Sequence, residues 1–321
     1  MLSQRTHYLR ILPSEVRESS ASRPIDLQES YDYCMGVFKE NARSFHFASR
    51  YLNEDERLAF AALYGFCRMA DDFADEMNLS LEERERELSV LDDIADRLAE
   101  GEVFNHPLFR AFGDTMVRYK IPVKYLHELI EGVRLDLTLK SVKTNEELDR
   151  YCYLVASTVG LMMCHIWGAT SPETLDRAAD LGIALQLTNI LRDVEEDYGN
   201  GRIYIPEETR RKFRVRDEDF GRKEVSPNFR RMIQHEISRT RAICRLAEVG
   251  IEDLPPAGAF TVKVAARVYG AILDEIEKMD YDVFRKRAVV PKWKKLVIAL
   301  RARREYRREV REQERIRRLS G

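Results

Sequence analysis

The stretch LGIALQLTNILRDVEED (181–197) continues an apolar run into three polar side chains at four-residue spacing, Asn189, Asp193 and Asp197. Four residues advance an α-helix by about 400°, so each side chain lies only about 40° around the helix from the one before. All three share one helix face, where like charges at this spacing cost roughly a few tenths of a kcal/mol each. The stretch therefore predicts a helix whose acidic face has a compensating partner.

A second acidic cluster lies upstream in CRMADDFADE, which contains Asp71, Asp72 and Asp75. One such cluster alone is more typical of solvated surface than of a site. Two clusters favour a site, because each follows an apolar helix and each has an arginine just before it. Interior carboxylates without partners are very costly, so a divalent cation is the natural partner for both faces.

Ligand chemistry narrows the choice of cation and substrate. Oxygen ligands select hard cations, and Mg²⁺ usually takes one or two carboxylates together with substrate phosphates. The sequence has no Walker-type glycine-rich loop, which argues against a nucleotide. The two faces therefore indicate Mg²⁺ ions that hold a diphosphate leaving group, whose developing charge Mg²⁺ and arginine neutralise.

Helical periodicity dominates the chain and predicts an all-α fold. Apolar residues recur at helical spacing in 54–70, 85–98, 123–137, 147–167, 174–194 and 259–277. Capping signals mark helix starts at Ser80 and Thr144, and Pro172 lies just inside another start. With no alternating strand pattern and no fixed-period repeat, we expect roughly ten helices in one domain.

Composition bounds the class of protein. The 321 residues are 44% hydrophobic, enough for a large core, and the net charge of −2 argues against a nucleic-acid partner. The sequence shows neither a signal-peptide core at its start nor an apolar run of bilayer-spanning length. Five cysteines without metal-ligand spacing are typical of reduced thiols in a cytoplasmic protein. We also expect the protein to be a monomer.

The two ends differ from the middle. Residues 1–26 are interpreted as a loosely attached leader and 27–300 as the catalytic domain. Residues 301–321 are rich in arginine with interspersed glutamate, which favours a solvated helical tail. The alternative for this tail is a peripheral contact with the inner face of the membrane.

Five sequence blocks carry a resemblance to a known family, and their spacing is also as that family has it. They are ARSFHFASRYL (42–52), ALYGFCRMADDFADE (62–76), YCYLVASTVG (151–160), LGIALQLTNILRDVEEDYGNGRIYIP (181–206) and YDVFRKRAVVP (281–291). Over about Tyr31 to Lys295 the chain resembles the phytoene/squalene synthases, which join two allylic isoprenoid diphosphates head to head. The resemblance implies an all-α, single-domain isoprenoid-synthase bundle around a central active-site cavity.

The resemblance also implies roles for individual residues. The first metal face is Asp71, Asp72 and Asp75, and the second is Asn189, Asp193 and Asp197. The set expected to contact the diphosphates is Ser44, Arg68, Tyr151, Gln186, Asn189, Arg192, Arg202, Tyr204 and Arg287. Catalysis is assigned to Asp71, Asp75, Asp193, Asp197, Tyr64, Arg68 and Tyr269. For any single tyrosine, core packing is an equally good interpretation.

The implied reaction has two half-reactions that share a cyclopropyl diphosphate intermediate. Phytoene-type enzymes end by losing a proton, and squalene-type enzymes end by taking a hydride from NADPH. The tail pocket is expected at Ser49, Ala61, Val155, Gly160 and Gly182. Enzymes that make thirty-carbon products tend to have aromatic side chains at the positions of Ser49 and Ala61. The small side chains here favour two geranylgeranyl diphosphates as substrates. The product is then 15-cis-phytoene, of the carotenoid pathway. The cofactor is then Mg²⁺, for which Mn²⁺ can substitute, and NADPH is not expected.

Other functions stay open as alternatives. A squalene or dehydrosqualene synthase would use two farnesyl diphosphates through the same chemistry. A head-to-tail prenyltransferase should have a second DDxxD motif, and a terpene cyclase would leave YCYLVASTVG and GRIYIP unexplained. A non-catalytic assembly factor should have lost some of the acids, and all are intact.

Overall fold

This computed structural model describes residues 13–14, 25–41, 49, 52–74 and 79–320, apart from the side chains of Ala74 and 309–320. Within these ranges the chain forms helices and no strand, with one isolated parallel bridge between Ser141 and Ile203. The all-α prediction is confirmed. None of the described helices combines the length and the hydropathy that crossing a membrane requires.

The helices follow one another in chain order, with a π-helix and a 3₁₀ turn among them. They are α1 Leu27–Asn41, α2 Glu54–Ala74, α3 Leu81–Ala99, α4 Pro107–Tyr119, α5 Lys124–Asp136, α6 Asn145–Cys152, the π-helix Tyr153–Ser157, α7 Thr158–Trp167, α8 Pro172–Arg192, α9 Val194–Gly199, α10 Glu207–Lys212, α11 Asp217–Arg222, α12 Pro227–Glu248, the 3₁₀ turn Val249–Asp253, α13 Pro256–Lys278 and α14 Lys292–Ser320.

Local chemistry explains several helix boundaries. Ser80 and Glu83 form the full capping box expected at the start of α3. At Thr144 only half of that box forms, because the Glu147 carboxylate accepts from the backbone of Lys143 instead. Pro172 is the first residue of α8, where its missing N–H costs no hydrogen bond.

The described residues group into two compact units. Unit 1 takes in Met1–Leu139 and Tyr153–Ser171, and unit 2 takes in Lys140–Cys152 and Pro172–Gly321. Single-domain organisation over 27–300 stays a prediction.

Unit 1 is built around α2, which packs against α1, α4, α5 and α7. Phe66 of α2 stacks on Phe112 of α4 with ring centroids 4.7 Å apart, and Phe60 lies 5.1 Å from the ring of Trp167. Near the chain start, Ser14 donates from both its amide and its hydroxyl to the buried carboxylate of Glu87. The apolar face of α2 thus fixes the orientation of the polar residues at its C-terminal end.

Unit 2 is built around α8, which lies along α12 and α13, while α14 packs on α13. Phe229, Ile233 and Ile276 are fully buried in an extended apolar cluster of this unit. Phe284 closes this cluster with its ring 4.8 Å from that of Phe229. Packing of the buried side of α8 therefore fixes the position of the polar residues at the C-terminal end of this helix.

The five cysteines are all free thiols. Cys34, Cys67 and Cys164 belong to unit 1, and Cys152 and Cys244 belong to unit 2. Burial raises the pKa of every one of them, to about 12 for Cys164 and about 11 for Cys244. Cys34, Cys152 and Cys164 are buried, and Cys67 and Cys244 are half-buried.

Candidate active site

The second acidic face spans the junction of α8 and α9. Asp193 leaves helical geometry, with φ −105° and ψ 16°, and α9 begins at the next residue. The backbone N–H of Asp193 still donates to the carbonyl of Asn189, and that of Asp197 to the carbonyl of Asp193, both at 2.9 Å. The four-residue spacing of Asn189, Asp193 and Asp197 therefore keeps its helical register across the junction.

Asp193 is held by two arginines. Arg192 Nε lies 2.9 Å from Asp193 Oδ1, and Arg287 donates from Nε to Oδ1 at 2.7 Å and from Nη2 to Oδ2 at 2.9 Å. Burial by itself would raise the pKa of the Asp193 carboxyl, but the hydrogen bonds and charges of the two guanidiniums outweigh it and lower the pKa. Asp193 is thus ionised at neutral pH and lies beside two cations.

Asn189 lies one helical turn before Asp193 and is hydrogen-bonded to Gln186. Its Nδ2 donates to Gln186 Oε1 at 3.1 Å, while its Oδ1 is buried and has no hydrogen-bond partner among the described residues. Burial raises the pKa of the Tyr269 hydroxyl, against the opposing effects of Arg192 and of a hydrogen bond from Asn189. The buried Oδ1 is an oxygen ligand with a vacant lone pair, which is what a hard cation takes.

Tyr151 and Tyr204 form a stacked pair in unit 2. Their ring centroids are 5.0 Å apart, and the Tyr151 hydroxyl donates to that of Tyr204 at 3.3 Å. Tyr204 also lines a shallow depression together with Asp197 and Arg202. Both tyrosines are well packed, and their contact with a diphosphate stays a prediction.

The segment after α9 is fixed by a short parallel bridge. Ile203 donates its N–H to the carbonyl of Lys140, and its own carbonyl accepts from Val142. The bridge presents Arg202 and Tyr204 on either side of the buried Ile203. The sequence signal of a strand was absent here because a single bridge has no alternating pattern to detect.

Arg210 is a residue that the sequence analysis missed. It is fully buried, and it donates to the Ile205 carbonyl at 3.0 Å, to the Ser141 hydroxyl at 2.6 Å and to the carboxylate of Asp217. It contacts Ser141, one partner of the bridge, and Ile205, two residues after the other partner, and so positions the segment that contains Arg202 and Tyr204. Its sequence context, EETRR, gives no sign of burial, because the arginine stands among charged residues.

The first acidic face lies at the C-terminal end of α2 in unit 1. Arg68 pairs with Asp72 one turn later at 2.6 Å, and Asp71 is exposed beside them. Tyr64, one turn before Arg68, contacts Phe38 of α1, and burial raises the pKa of its hydroxyl. Tyr64, Arg68, Asp71 and Asp72 therefore follow one another along this helix, as their spacing predicts.

Other expected site residues are placed only in part. Ser44 and Asp75 lie outside the described residues. Ser49 and Ala61 are fully buried in unit 1, where Val155 lies in the π-helix and Gly160 in α7, both half-buried. Gly182 is buried in α8 of unit 2. Their shared role as a tail pocket stays a prediction.

In the portion of the chain that the structure describes, no three His, Cys, Asp or Glu side chains lie close enough together to hold a metal ion by themselves. Mg²⁺ takes one or two carboxylates and completes its shell with water and substrate phosphate, so a site for it does not require three such side chains together. The carboxylates of each face, with the Asn189 amide, fit such a site.

The fold and the two carboxylate faces define an all-helical isoprenoid synthase. A family model described as squalene/phytoene synthase matches residues 38–294, and the chain belongs to this family. It is accordingly a prenyltransferase, as the resemblance implied.

Individual relatives and solved structures agree with this family. The chain is 35% identical to the 15-cis-phytoene synthase of Synechococcus elongatus, over 90% of this chain and 96% of that protein. It is 38% identical to phytoene synthase 1, chloroplastic, of Solanum lycopersicum, over 84% of this chain and 67% of that protein. A ligand-bound dehydrosqualene synthase superimposes with a TM-score of 0.81 at 27% identity, covering 88% of this chain and 98% of that one.

Proposed function

We propose that the protein condenses two geranylgeranyl diphosphates head to head and releases phytoene. The observation that carries this proposal is the similarity to 15-cis-phytoene synthase along 90% of the chain. In balance, two twenty-carbon diphosphates give one forty-carbon hydrocarbon, two diphosphates and two protons. Neither an oxidant nor a reductant is consumed, so NADPH has no part in this reaction.

Mg²⁺ is the proposed cofactor, with Mn²⁺ able to replace it. Asp71, Asp72 and Asp75 would hold it at one face, and Asn189, Asp193 and Asp197 at the other. When bound, it supplies Lewis-acid stabilisation to the departing diphosphate. The oxygen-only donor set and the vacant Oδ1 of Asn189 support this assignment.

The arginines that hold Asp193 have a second task in the proposed mechanism. Arg192 and Arg287 already lie within 3 Å of a carboxylate, so each can transfer its hydrogen bonds to a diphosphate oxygen that arrives beside it. A guanidinium binds two oxygens of phosphate as well as it binds two of carboxylate. The charge that develops on the leaving group therefore meets donors that are already oriented.

The two half-reactions follow from loss of diphosphate. The first loss leaves an allylic cation, which the double bond of the acceptor attacks, and proton loss closes a cyclopropane. The second loss gives a cation that rearranges and ends by releasing a proton. Diphosphate is the acceptor that we assign to both protons, since the buried hydroxyls of Tyr64 and Tyr269 have raised pKa values and stay protonated.

One assay tests the proposal. The purified protein is incubated with Mg²⁺ and either geranylgeranyl or farnesyl diphosphate, with and without NADPH, and the extracted hydrocarbons are weighed by mass spectrometry. We expect a forty-carbon product of phytoene mass that is indifferent to NADPH. A thirty-carbon product made only from farnesyl diphosphate would assign a dehydrosqualene synthase, and a product two hydrogens heavier that needs NADPH would assign a squalene synthase.

A further inference from the structure

Four large apolar side chains are exposed around the start of α14. Val289 is 62% exposed, Trp293 68%, Leu296 52% and Leu300 48%. Trp293, Leu296 and Leu300 follow the spacing i, i+3 and i+7, so they form one stripe along the helix. These four residues are called the Trp293 patch.

The opposite side of α14 is firmly packed, so the exposure of the patch is not the exposure of a loose helix. Ala299 and Ala302 are buried, and the Tyr306 ring lies 5.7 Å from that of Phe260 in α13. Arg267 of α13 donates to Glu305 at 2.5 Å. The helix is thus held on unit 2 by one face while the Trp293 patch points away from that contact.

The patch is surrounded by positive charge. Residues 285–304, RKRAVVPKWKKLVIALRARR, contain nine basic residues and no acidic one, although the whole chain has a net charge of −2. Three of the nine pair with acids of unit 2, namely Arg285 with Asp282, Arg287 with Asp193 and Lys294 with Glu275. The exposed members are Arg285, Lys286, Arg287, Lys292, Arg301, Arg303 and Arg304.

We infer that the Trp293 patch docks the protein on an anionic lipid bilayer, with α14 lying in the plane of the interface. A helix with leucine and tryptophan on one side and basic residues beside them has the composition of an interfacial anchor. The amphipathic indole suits the boundary between acyl chains and headgroups. Arginine and lysine next to it gain from the negative potential of anionic headgroups.

A second copy of the chain fits this surface less well. A two-fold interface would pair the patch with itself and bring the same basic residues of both copies together without an acid in the segment to offset them. An anionic bilayer has an apolar interior for the exposed apolar side chains and negatively charged headgroups for the basic residues, so it matches both properties of the surface.

The test is co-sedimentation of the full-length protein with vesicles of phosphatidylcholine alone or mixed with phosphatidylglycerol. We expect binding to the mixed vesicles, weakened by salt, and little binding to neutral ones. The double variant Trp293→Ser with Leu296→Ser should lose roughly tenfold or more in partitioning. The matched control is Leu246→Ser with Val249→Ser, which removes side chains of similar exposure, 59% and 69%, from a surface that also contains Glu248 and Glu252.

Fluorescence shows which residue enters the bilayer. The chain has two tryptophans, and Trp167 is buried against Phe60, so it serves as an internal reference. Brominated lipids should quench wild-type emission and leave Trp293→Ser unaffected. Equal binding of both double variants, or quenching that persists without Trp293, would overturn the inference. A concentration-dependent dimer that dissociates in the Trp293 variant would assign the patch to a second copy instead.

Discussion

At the scale of single residues, Asp193 is held both by Arg192, its neighbour in the chain, and by Arg287, which comes much later in the sequence. The row Asn189, Asp193 and Asp197 follows from helix geometry, and so does the turn that joins Arg68 to Asp72. Arg287 is 94 residues from Asp193 in the sequence, and helical spacing cannot predict a contact between residues so far apart in the chain. Only resemblance to the family placed Arg287 in the site, and Arg210 was found from the structure alone.

Removing one charge at Asp193 tests the second face. Asp193→Asn takes away a proposed metal ligand and the charge between two guanidiniums, so turnover should fall about a hundredfold or more while the fold persists. Steady-state kinetics over a Mg²⁺ titration and circular dichroism measure the two effects. The control is Glu195→Gln, which removes a nearby charge whose partner is Lys223 and should leave turnover nearly unchanged. Near-normal turnover of Asp193→Asn at saturating Mg²⁺ would contradict the assignment.

Filling the expected tail pocket tests the choice of substrate. Ser49 is fully buried, so Ser49→Phe overpacks its surroundings by roughly 1–3 kcal/mol. If the longer tail ends there, forty-carbon product should fall roughly ten- to a hundredfold, at about 1.4 kcal/mol per decade, while farnesyl diphosphate is still consumed. Competition between the two substrates, followed by mass spectrometry, gives the ratio. An equal loss on both substrates would place position 49 elsewhere.

At the scale of helices, periodicity located long amphipathic elements and missed the irregular ones. The segment 174–194 corresponds to α8, and 259–277 to α13, each within a few residues. The single helix expected over 147–167 is instead α6, a π-helix and α7, because one extra residue in a turn barely alters the apolar pattern. The long helix α12 was not among the segments singled out, since its many charged residues obscure its buried face.

Gly132 permits the close approach of α5 to the π-helix. A Cβ at this position would lie 2.8 Å from Leu154 Cβ and Val155 Cγ1, and 3.1 Å from the Leu154 backbone carbon. Gly132→Ala should therefore destabilise the protein by roughly 1–3 kcal/mol in a urea titration. Gly270→Ala is the matched control inside α13, where a Cβ meets nothing within 4 Å, and it should stabilise by about 0.4–1 kcal/mol. The same sign for both variants would argue against a tight contact.

His127 links α5 to α3 and makes the stability depend on pH. Burial would lower its pKa, but Asp92 at 2.6 Å and Asp96 at 2.9 Å outweigh it and raise the pKa. A raised folded-state pKa means that this contribution is fully present below the unfolded pKa of about 6.5 and is lost as the pH rises through the folded value. His127→Gln should thus cost about 0.3–1 kcal/mol near pH 6 and almost nothing near pH 9, as measured by urea unfolding.

His235 provides the control of opposite sign. Burial, with Lys212 and Arg239 nearby, lowers its pKa, so its protonation opposes folding on the acid side. His235→Gln should gain stability below pH 6, where His127→Gln loses it. If the free energies of both variants changed in parallel with pH, the local charges would not be the cause.

At the scale of the whole molecule, the sequence was sufficient for the fold class and the family. Periodicity, scarce proline and glycine within the helices, and the five family blocks all pointed to the same all-helical prenyltransferase. The grouping of Lys140–Cys152 with the second half of the chain was not predictable. It depends on pairs such as Arg239 with Asp149, 90 residues apart, and on Arg210 with Ser141.

The buried thiols can be used as internal probes of local unfolding. The thiolate is the form that attacks an alkylating reagent, so a cysteine with a raised pKa inside the core reacts only after its surroundings unfold. Cys34 reports in this way on unit 1 and Cys152 on unit 2. Timed labelling followed by peptide mass analysis measures the labelling rate at both positions. The two rates should be equal if the catalytic region unfolds as a single cooperative domain. They should differ if each unit unfolds independently.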